Sequence, residues 1–274
     1  MKKIAIQGIQ GSNHHIVAKN YYHENIVLNE CLSFDVLTDS LITQKSDEAI
    51  MAIENTIAGS IIPNYALIDK HNLHITGEYY LPIHHHLMAL PNQKINDIKE
   101  VCSHPMALLQ CKEFFKQYPF IKLVEDVDTS AVAKTIAEQK IKGIAAIAPK
   151  IAADIFELEV IEDEIQTIKN NETRFVILQT QKPQNNTAHI NKASLRFELD
   201  HKRGSLAAIL NVMSDCKLNL TKIQSLPIIE TPWKYAFFVD VTFDTYEDYA
   251  KAKSIIQIMA NNFKILGEYK NGRL

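Results

Sequence analysis

The run Glu48-Ala49-Ile50-Met51-Ala52-Ile53 is apolar without interruption after its first residue, and Glu54-Asn55-Thr56-Ile57-Ala58-Gly59-Ser60 follows it with polar and small side chains. A run that does not alternate apolar with polar reads as a strand covered on both faces, and such strands belong to sheets flanked by helices. In open sheets of that kind, ligands collect outside the carboxyl ends of the strands. Asn55 stands at such an end, where its amide can direct hydrogen bonds to a ligand or simply hold a turn.

The same alternation extends to both sides. Residues 4–7 read as a buried strand, and Gly8-Ile9-Gln10-Gly11-Ser12 as the turn into a helix that continues to residue 22. A helix start after such a turn offers unpaired backbone N–H groups, which suit an anion. The third glycine of a dinucleotide fingerprint is missing and no G-x-x-x-x-G-K-[ST] occurs, so a nucleotide is not indicated. Residues 33–46 read as a helix and 77–90 as a strand-rich stretch that includes His84-His85-His86. At period two, His84 and His86 share a face, but no further His, Cys or acid stands at ligand spacing, and no metal is expected. Ser103-His104-Pro105 opens a helix, with Ser103 either its N-cap or an anion-binding hydroxyl, and Gln110 follows about two turns later on the same face. Residues 122–125 and 143–148 read as strands, Asp128 to Ser130 as the cap of a helix over 131–140, and Pro149 as the opening of a helix over 150–158. Alternating strands and helices mark an α/β domain, expected to form two lobes with a cleft between them.

Residues 181–192 are polar and contain a proline, as a linker does. Beyond them come a strand at 193–199, a helix at 205–215, strands at 218–228 and 234–243, a helix at 246–262 and a strand at 263–269. That order, βαββαβ, is ferredoxin-like.

Composition narrows the function. The chain has 274 residues, 46% hydrophobic and 22% charged, with a net charge of -3. Mixed signs and a slightly negative balance provide neither a basic face for nucleic acid nor a polybasic membrane anchor. No apolar run reaches membrane-spanning length, and the first residues read as a strand rather than a signal peptide. Cys31, Cys102, Cys111 and Cys216 are scattered without a C-x-x-C pair, which fits reduced thiols in the cytoplasm. The expected partner is a small molecule or another copy of the chain.

Asn171-Glu172-Thr173-Arg174-Phe175 carries the chemistry. It sets a hydroxyl, a permanent cation with a planar fork and an aromatic ring side by side, a combination suited to an acidic small molecule.

Together these segments resemble the prephenate dehydratases of phenylalanine biosynthesis, in which a catalytic domain precedes an ACT regulatory domain. The family's G-x-x-G-[ST] turn is similar to Gly8 to Ser12, its P-I-E-N-S to Ala52 to Thr56, its S-H-P-Q-A-L-x-Q-C to Ser103 to Cys111, and its N-x-T-R-F to Asn171 to Phe175. Farther on, its G-A-L resembles Gly204-Ser205-Leu206 and its E-S-R-P resembles Gln224-Ser225-Leu226-Pro227. Asn13, His14, Thr56, Met106, Gln224 and Leu226 depart from the family pattern; the last two replace an acid and a base of the effector motif.

The resemblance implies a two-lobed, periplasmic-binding-protein-like catalytic domain over 1–180, a linker over 181–192 and a ferredoxin-like ACT domain over 193–274. It implies conversion of prephenate to phenylpyruvate with no cofactor and no metal. Thr173, Arg174, Asn55, Ser103 and Gln110 are its implied catalytic residues, and Ser12, Thr56 and Phe175 its substrate contacts. Gly204, Ser205, Leu206, Gln224, Ser225, Leu226 and Pro227 are implied to bind an effector, L-phenylalanine, in a homodimer or homotetramer. Two rivals stand beside this reading: arogenate as the substrate, and a two-lobed small-molecule sensor without catalysis.

Overall fold

The computed structural model describes residues 1–23, 25–182, 187–200, 202–228, 231 and 234–273. Residues 183–186 of the expected linker lie outside the described residues. The chain forms two compact units, Met1–Gly59 with Tyr80–Phe175 and Ser60–Tyr79 with Val176–Leu274.

The first unit carries two sheets. In one, strand Glu172–Gln179, which belongs to this unit through Phe175, is followed in order by Glu48–Asn55, Lys2–Gln7 and Ile26–Cys31. Lys2–Gln7 is parallel to Ile26–Cys31 and to Glu48–Asn55, with helices Asn13–Tyr22 and Phe34–Ile42 as connections. Residues 48–53 are buried throughout, as the unbroken apolar run requires. The other sheet is ordered Glu159–Glu162, His86–Ala89, Ile144–Ala148, Glu100–Ser103, Lys122–Glu125, its last three strands parallel and its first two antiparallel to their neighbours. Val101, Ala145, Ile147, Leu108 and Phe115 form one apolar core there, and Met88, Ala133, Ile136, Ala146 and Ala152 another.

Caps follow the sequence at three helix starts. Ser12 Oγ accepts from His15 N, Ser33 Oγ from Val36 N, and Asp128 Oδ1 from Ser130 N and Ala131 N. At residue 103 the expectation is corrected. Helix Pro105–Phe115 is capped by His104, whose Nδ1 accepts from Met106 N, while Ser103 closes the preceding strand. The helix expected over 33–46 ends at Ile42, because Gln44 takes a left-handed φ of 55°.

Two chain crossings, residues 83–85 leading into the second sheet of the first unit and residues 165–171 leading out of it, are bonded together. Ile83 N donates to Asn171 O at 2.8 Å, Ile165 N to His85 O at 2.8 Å, and His85 N to Gln166 Oε1 at 2.9 Å. Residues 83–85 therefore lie between strands, and period two does not govern His84 and His86. His84 Nδ1 faces Glu164 at 3.2 Å and His86 Nδ1 faces Asp163 at 3.0 Å. Among the described residues, no group of three or more His, Cys, Asp or Glu side chains is placed to hold a metal ion.

In the second unit the strand order is Asn219–Pro227, Tyr235–Thr242, Lys192–Glu198, Asn261–Tyr269, His74–Pro82. The first four are antiparallel; the last is parallel to Asn261–Tyr269, meeting it at Gly267 and Ile75. A Cβ on Gly267 would strike the Ile75 carbonyl, so glycine permits that pairing. Helices Ser205–Asp215 and Tyr246–Met259 complete a βαββαβ order over a core that includes Phe197, Ile209, Tyr249 and Ile256. The second helix stops at Met259 rather than 262, since Ala260 is already extended (φ -104°, ψ 152°). Inside this unit Lys192 Nζ meets both carboxylate oxygens of the buried Glu78 at 2.9 Å. Residues 60–79 belong here too, which a reading along the chain does not foresee.

Candidate active site

Strand ends and crossings of the first unit bring Asn55, Asn171, Thr173, Gln110 and His85 into one chain of hydrogen bonds, and donor chemistry sets its direction. Asn55 Oδ1 lies 2.9 Å from Ile57 N and 2.9 Å from Ala58 N. Backbone amides only donate, so this oxygen accepts, and the other end of the carboxamide must be the NH2. That nitrogen lies 2.7 Å from Asn171 Oδ1, 2.9 Å from Thr173 Oγ1 and 3.2 Å from Glu172 O. Asn171 therefore also has its oxygen toward Asn55, and its Nδ2 donates to Gln110 Oε1 at 2.9 Å. Gln110 Oε1 is 2.8 Å from His85 Nε2 as well, which makes that ring nitrogen an N–H. Two backbone N–H groups thus orient four side chains in succession.

This polarity has two outward consequences. Thr173 Oγ1 accepts from Asn55, so its own proton is directed away from Asn55. Gln110 Nε2 makes no hydrogen bond among the described residues, leaving an amide donor beside the threonine's strand. Both are donors for a ligand oxygen.

Along strand Glu172–Gln179, side chains alternate in direction, so Thr173 and Phe175 share a face and Arg174 takes the other. Arg174 is buried, with Nη1 3.9 Å from Glu54 Oε2. That exceeds the 2.7–2.9 Å of a charge-assisted hydrogen bond. Phe175 is only 1% exposed, and its ring meets His14 edge-on at a centroid distance of 4.9 Å. It is corrected from a ligand contact to the packing beneath the site. Ser103 is fully buried and donates to Ile147 O at 2.7 Å, so its proton ties neighbouring strands together instead of meeting a ligand. Thr56 joins the strand ends through Oγ1, which accepts from Glu172 N at 2.9 Å. Ser12 remains a cap at the start of its helix.

Burial depresses the His85 imidazole below its ordinary range and outweighs the Gln110 hydrogen bond, while His86 and His84 push in the same downward direction. Burial alone takes His14 down to about 3. It pushes the Cys111 thiol up to about 12, so the cysteine beside Gln110 stays protonated and is not a nucleophile.

The prephenate dehydratase family model matches residues 4–183. The chain belongs to the prephenate dehydratase family. A relative, arogenate dehydratase/prephenate dehydratase 2, chloroplastic, of Arabidopsis thaliana, is 32% identical over 277 residues, covering 97% of this chain and 72% of that protein. The bifunctional chorismate mutase/prephenate dehydratase of Buchnera aphidicola subsp. Acyrthosiphon pisum (strain APS) is 31% identical over 272 residues, covering 97% and 70%. In fold, the chain is similar to the prephenate dehydratase of Arthrobacter aurescens solved with L-Phe, with a TM-score of 0.89, 22% identity and coverage of 99% and 90%. As in other prephenate dehydratases of known structure, the catalytic fold is periplasmic-binding-protein-like.

Asn171 and His85 are the members of this hydrogen-bond chain that the sequence does not single out. Asn171 opens the N-E-T-R-F stretch without a role legible in its type, and His85 stands inside a histidine run. Neither residue type signals a hydrogen-bond chain until the crossings bring them together.

In the second unit, Gly204 takes a φ of 82° as the N-cap of helix Ser205–Asp215. Ser205 and Leu206 line a cavity of about 130 Å³ with Asp200, Lys202, Lys234 and Tyr235. Gln224, Ser225, Leu226 and Pro227 lie on the neighbouring strand, where Pro227 pairs with Tyr235. Gln224 Nε2 turns back to Ser225 O at 3.0 Å, and Leu226 is buried.

Proposed function

We propose that this protein is a carbon–oxygen lyase that converts prephenate to phenylpyruvate, carbon dioxide and water. The observation that carries the reading is the Asn55–Thr173 hydrogen bond, in which the threonine accepts and keeps its proton for a ligand. The ring carboxylate leaves as carbon dioxide, its bonding electrons complete the aromatic ring, and the ring C–O bond breaks. One proton is taken up by the departing hydroxyl, which becomes water. A threonine hydroxyl is a weak acid, so Thr173 donates a hydrogen bond that strengthens as charge develops on the leaving oxygen. Gln110 supplies a second neutral donor. Arg174, buried on the strand's other face, contributes a permanent positive charge that acts on the substrate's carboxylates at a distance rather than by direct contact. Aromatisation provides the driving force, and the residues supply orientation and charge stabilisation.

In this reading residues 193–274 form an ACT domain that binds L-phenylalanine near Gly204, Ser205 and Leu206, where an anion-binding helix start adjoins the Lys202 and Lys234 side of the cavity. Self-association into a dimer or tetramer and a cytoplasmic setting belong to the same reading. No helix among the described residues is long and apolar enough to cross a membrane.

Arogenate differs from prephenate by an ammonium in place of the keto group, and several relatives carry arogenate dehydratase in their names. Comparing kcat/KM for prephenate and arogenate, each with and without L-phenylalanine, tests the whole assignment. The proposal expects prephenate to be preferred and phenylalanine to slow turnover. A higher kcat/KM for arogenate would replace the substrate, and binding of either compound without product would leave a sensor.

A further inference from the structure

We propose that His85 is a positioning residue for the dehydration, with its neutral Nε2–H locking the Gln110 carboxamide so that the Gln110 NH2 group is presented to the substrate. The inference rests on the dehydratase reading above and adds a residue that acts through another.

Gln110 Oε1 accepts twice, from Asn171 Nδ2 at 2.9 Å and from His85 Nε2 at 2.8 Å. A carboxamide held by one donor can turn over for the loss of one hydrogen bond. With two donors on the same oxygen, turning over loses both and sets the amide NH2 against two N–H groups. By the usual strength of a hydrogen bond, the second donor suppresses the flipped amide by roughly tenfold more.

The ring itself is held from the backbone. His85 N donates to Gln166 Oε1 at 2.9 Å and His85 O accepts from Ile165 N at 2.8 Å. Thr167 N donates to Gln110 O at 2.9 Å. Residues 165–167 therefore fix both partners, His85 and Gln110, relative to each other. His85 is 5% exposed and its Nδ1 is buried with no hydrogen-bond partner. In the other tautomer, Nδ1–H would be an orphaned donor and the Nε2 lone pair would face the Gln110 oxygen. A protonated ring would bury an unpaired donor and a charge beside His84 and His86, whose own acidic partners are Glu164 and Asp163. Only the neutral Nε2–H form satisfies the geometry, so His85 acts as a donor and not as a proton carrier.

Two substitutions separate these roles, because a glutamine amide reaches the Nε2 position and an asparagine amide reaches only Nδ1. The expected result is that His85→Asn lowers kcat about tenfold to a hundredfold with little change in KM. His85→Gln then restores kcat to within about fivefold of the parent, with the parent's pH profile. Nitrogen-15 spectra of the parent imidazole should show a protonated Nε2 and a bare Nδ1 across the active pH range. Equal losses in both variants, tracking their thermal stability, would overturn the role, as would a protonated Nδ1. Loss of an acid or base limb of the pH profile in His85→Gln would make His85 a proton carrier and overturn it equally. Absence of turnover by the parent protein would instead bring down the dehydratase reading together with this role.

Discussion

Asn55 Nδ2 donates to Thr173 Oγ1 at 2.9 Å across 118 residues of sequence, while Asn55 Oδ1 is held by the Ile57 and Ala58 amides. The threonine is thereby made an acceptor on one side and a donor on the other. Asn55→Asp keeps the backbone contacts but replaces the NH2 by a second acceptor. Thr173 must then donate to the carboxylate, and its proton is withdrawn from the ligand. The expected outcome is a fall in kcat of about a hundredfold to a thousandfold, measured beside near-ultraviolet circular dichroism to confirm the fold.

His14 connects burial to acid sensitivity. Folded, its imidazole is held down to about 3 by burial, against an ordinary 6.5 in the unfolded chain. As pH falls below 6.5, the unfolded state takes a proton that the folded state refuses, so stability declines with falling pH toward about 3. Between pH 6.5 and pH 5 the loss is about 2 kcal/mol from this group. Urea unfolding at both pH values should show that much greater acid loss for the parent than for His14→Leu. A parallel loss in the two proteins would remove His14 as the cause.

Gly11 and Gly143 both have positive φ, at 91° and 78°, but different surroundings. A Cβ on Gly11 would lie 3.1 Å from Ala152 Cβ and 3.3 Å from Phe156, whereas one on Gly143 would meet only Asp97 O at 3.6 Å. Gly143→Ala carries backbone strain alone, about 1 kcal/mol. Gly11→Ala adds a collision with the helix after Pro149, for about 2–4 kcal/mol in all. Chemical unfolding of the two variants should separate them in that order.

Lys192 and Glu78 are buried together in the second unit, their side chains 3% and 0% exposed. Lys192→Met removes the ammonium that meets both oxygens of this buried carboxylate and is expected to cost about 3–5 kcal/mol. Adding Glu78→Gln should recover most of that loss, because the amide oxygen still accepts from Gly272 N, now 3.0 Å from Glu78. A double variant as unstable as the single one would place the cost in packing rather than charge.

Much of the fold was legible because it rests on local patterns. The 48–53 run, the caps at Ser12, Ser33 and Asp128, and the βαββαβ order each follow from periodicity or from a side chain next to the backbone it serves. Ser103 and His104 show where that reasoning weakens: both residue types can cap, and the choice falls to whichever hydroxyl or ring the neighbouring strand leaves unused. Ile147 O takes the Ser103 proton, and His104 becomes the cap. The site was legible in its residue types but not in its wiring. Asn55, Gln110 and Thr173 could be named from motifs, yet the links through Asn171 and His85 depend on two chain crossings far apart in sequence. Phe175 departs from its expected place because an aromatic beside a functional pair serves equally as a pocket wall or as core, and only burial separates the two.

The most direct test is the rate of phenylpyruvate formation from prephenate by the parent protein, Thr173→Ser and Thr173→Ala, at saturating substrate. The account predicts turnover by the parent, retention of most of it in Thr173→Ser, and a loss of about a hundredfold to a thousandfold in kcat for a folded Thr173→Ala. A Thr173→Ala protein that turns over prephenate at the parent rate would contradict the claim that this hydroxyl assists the departing oxygen.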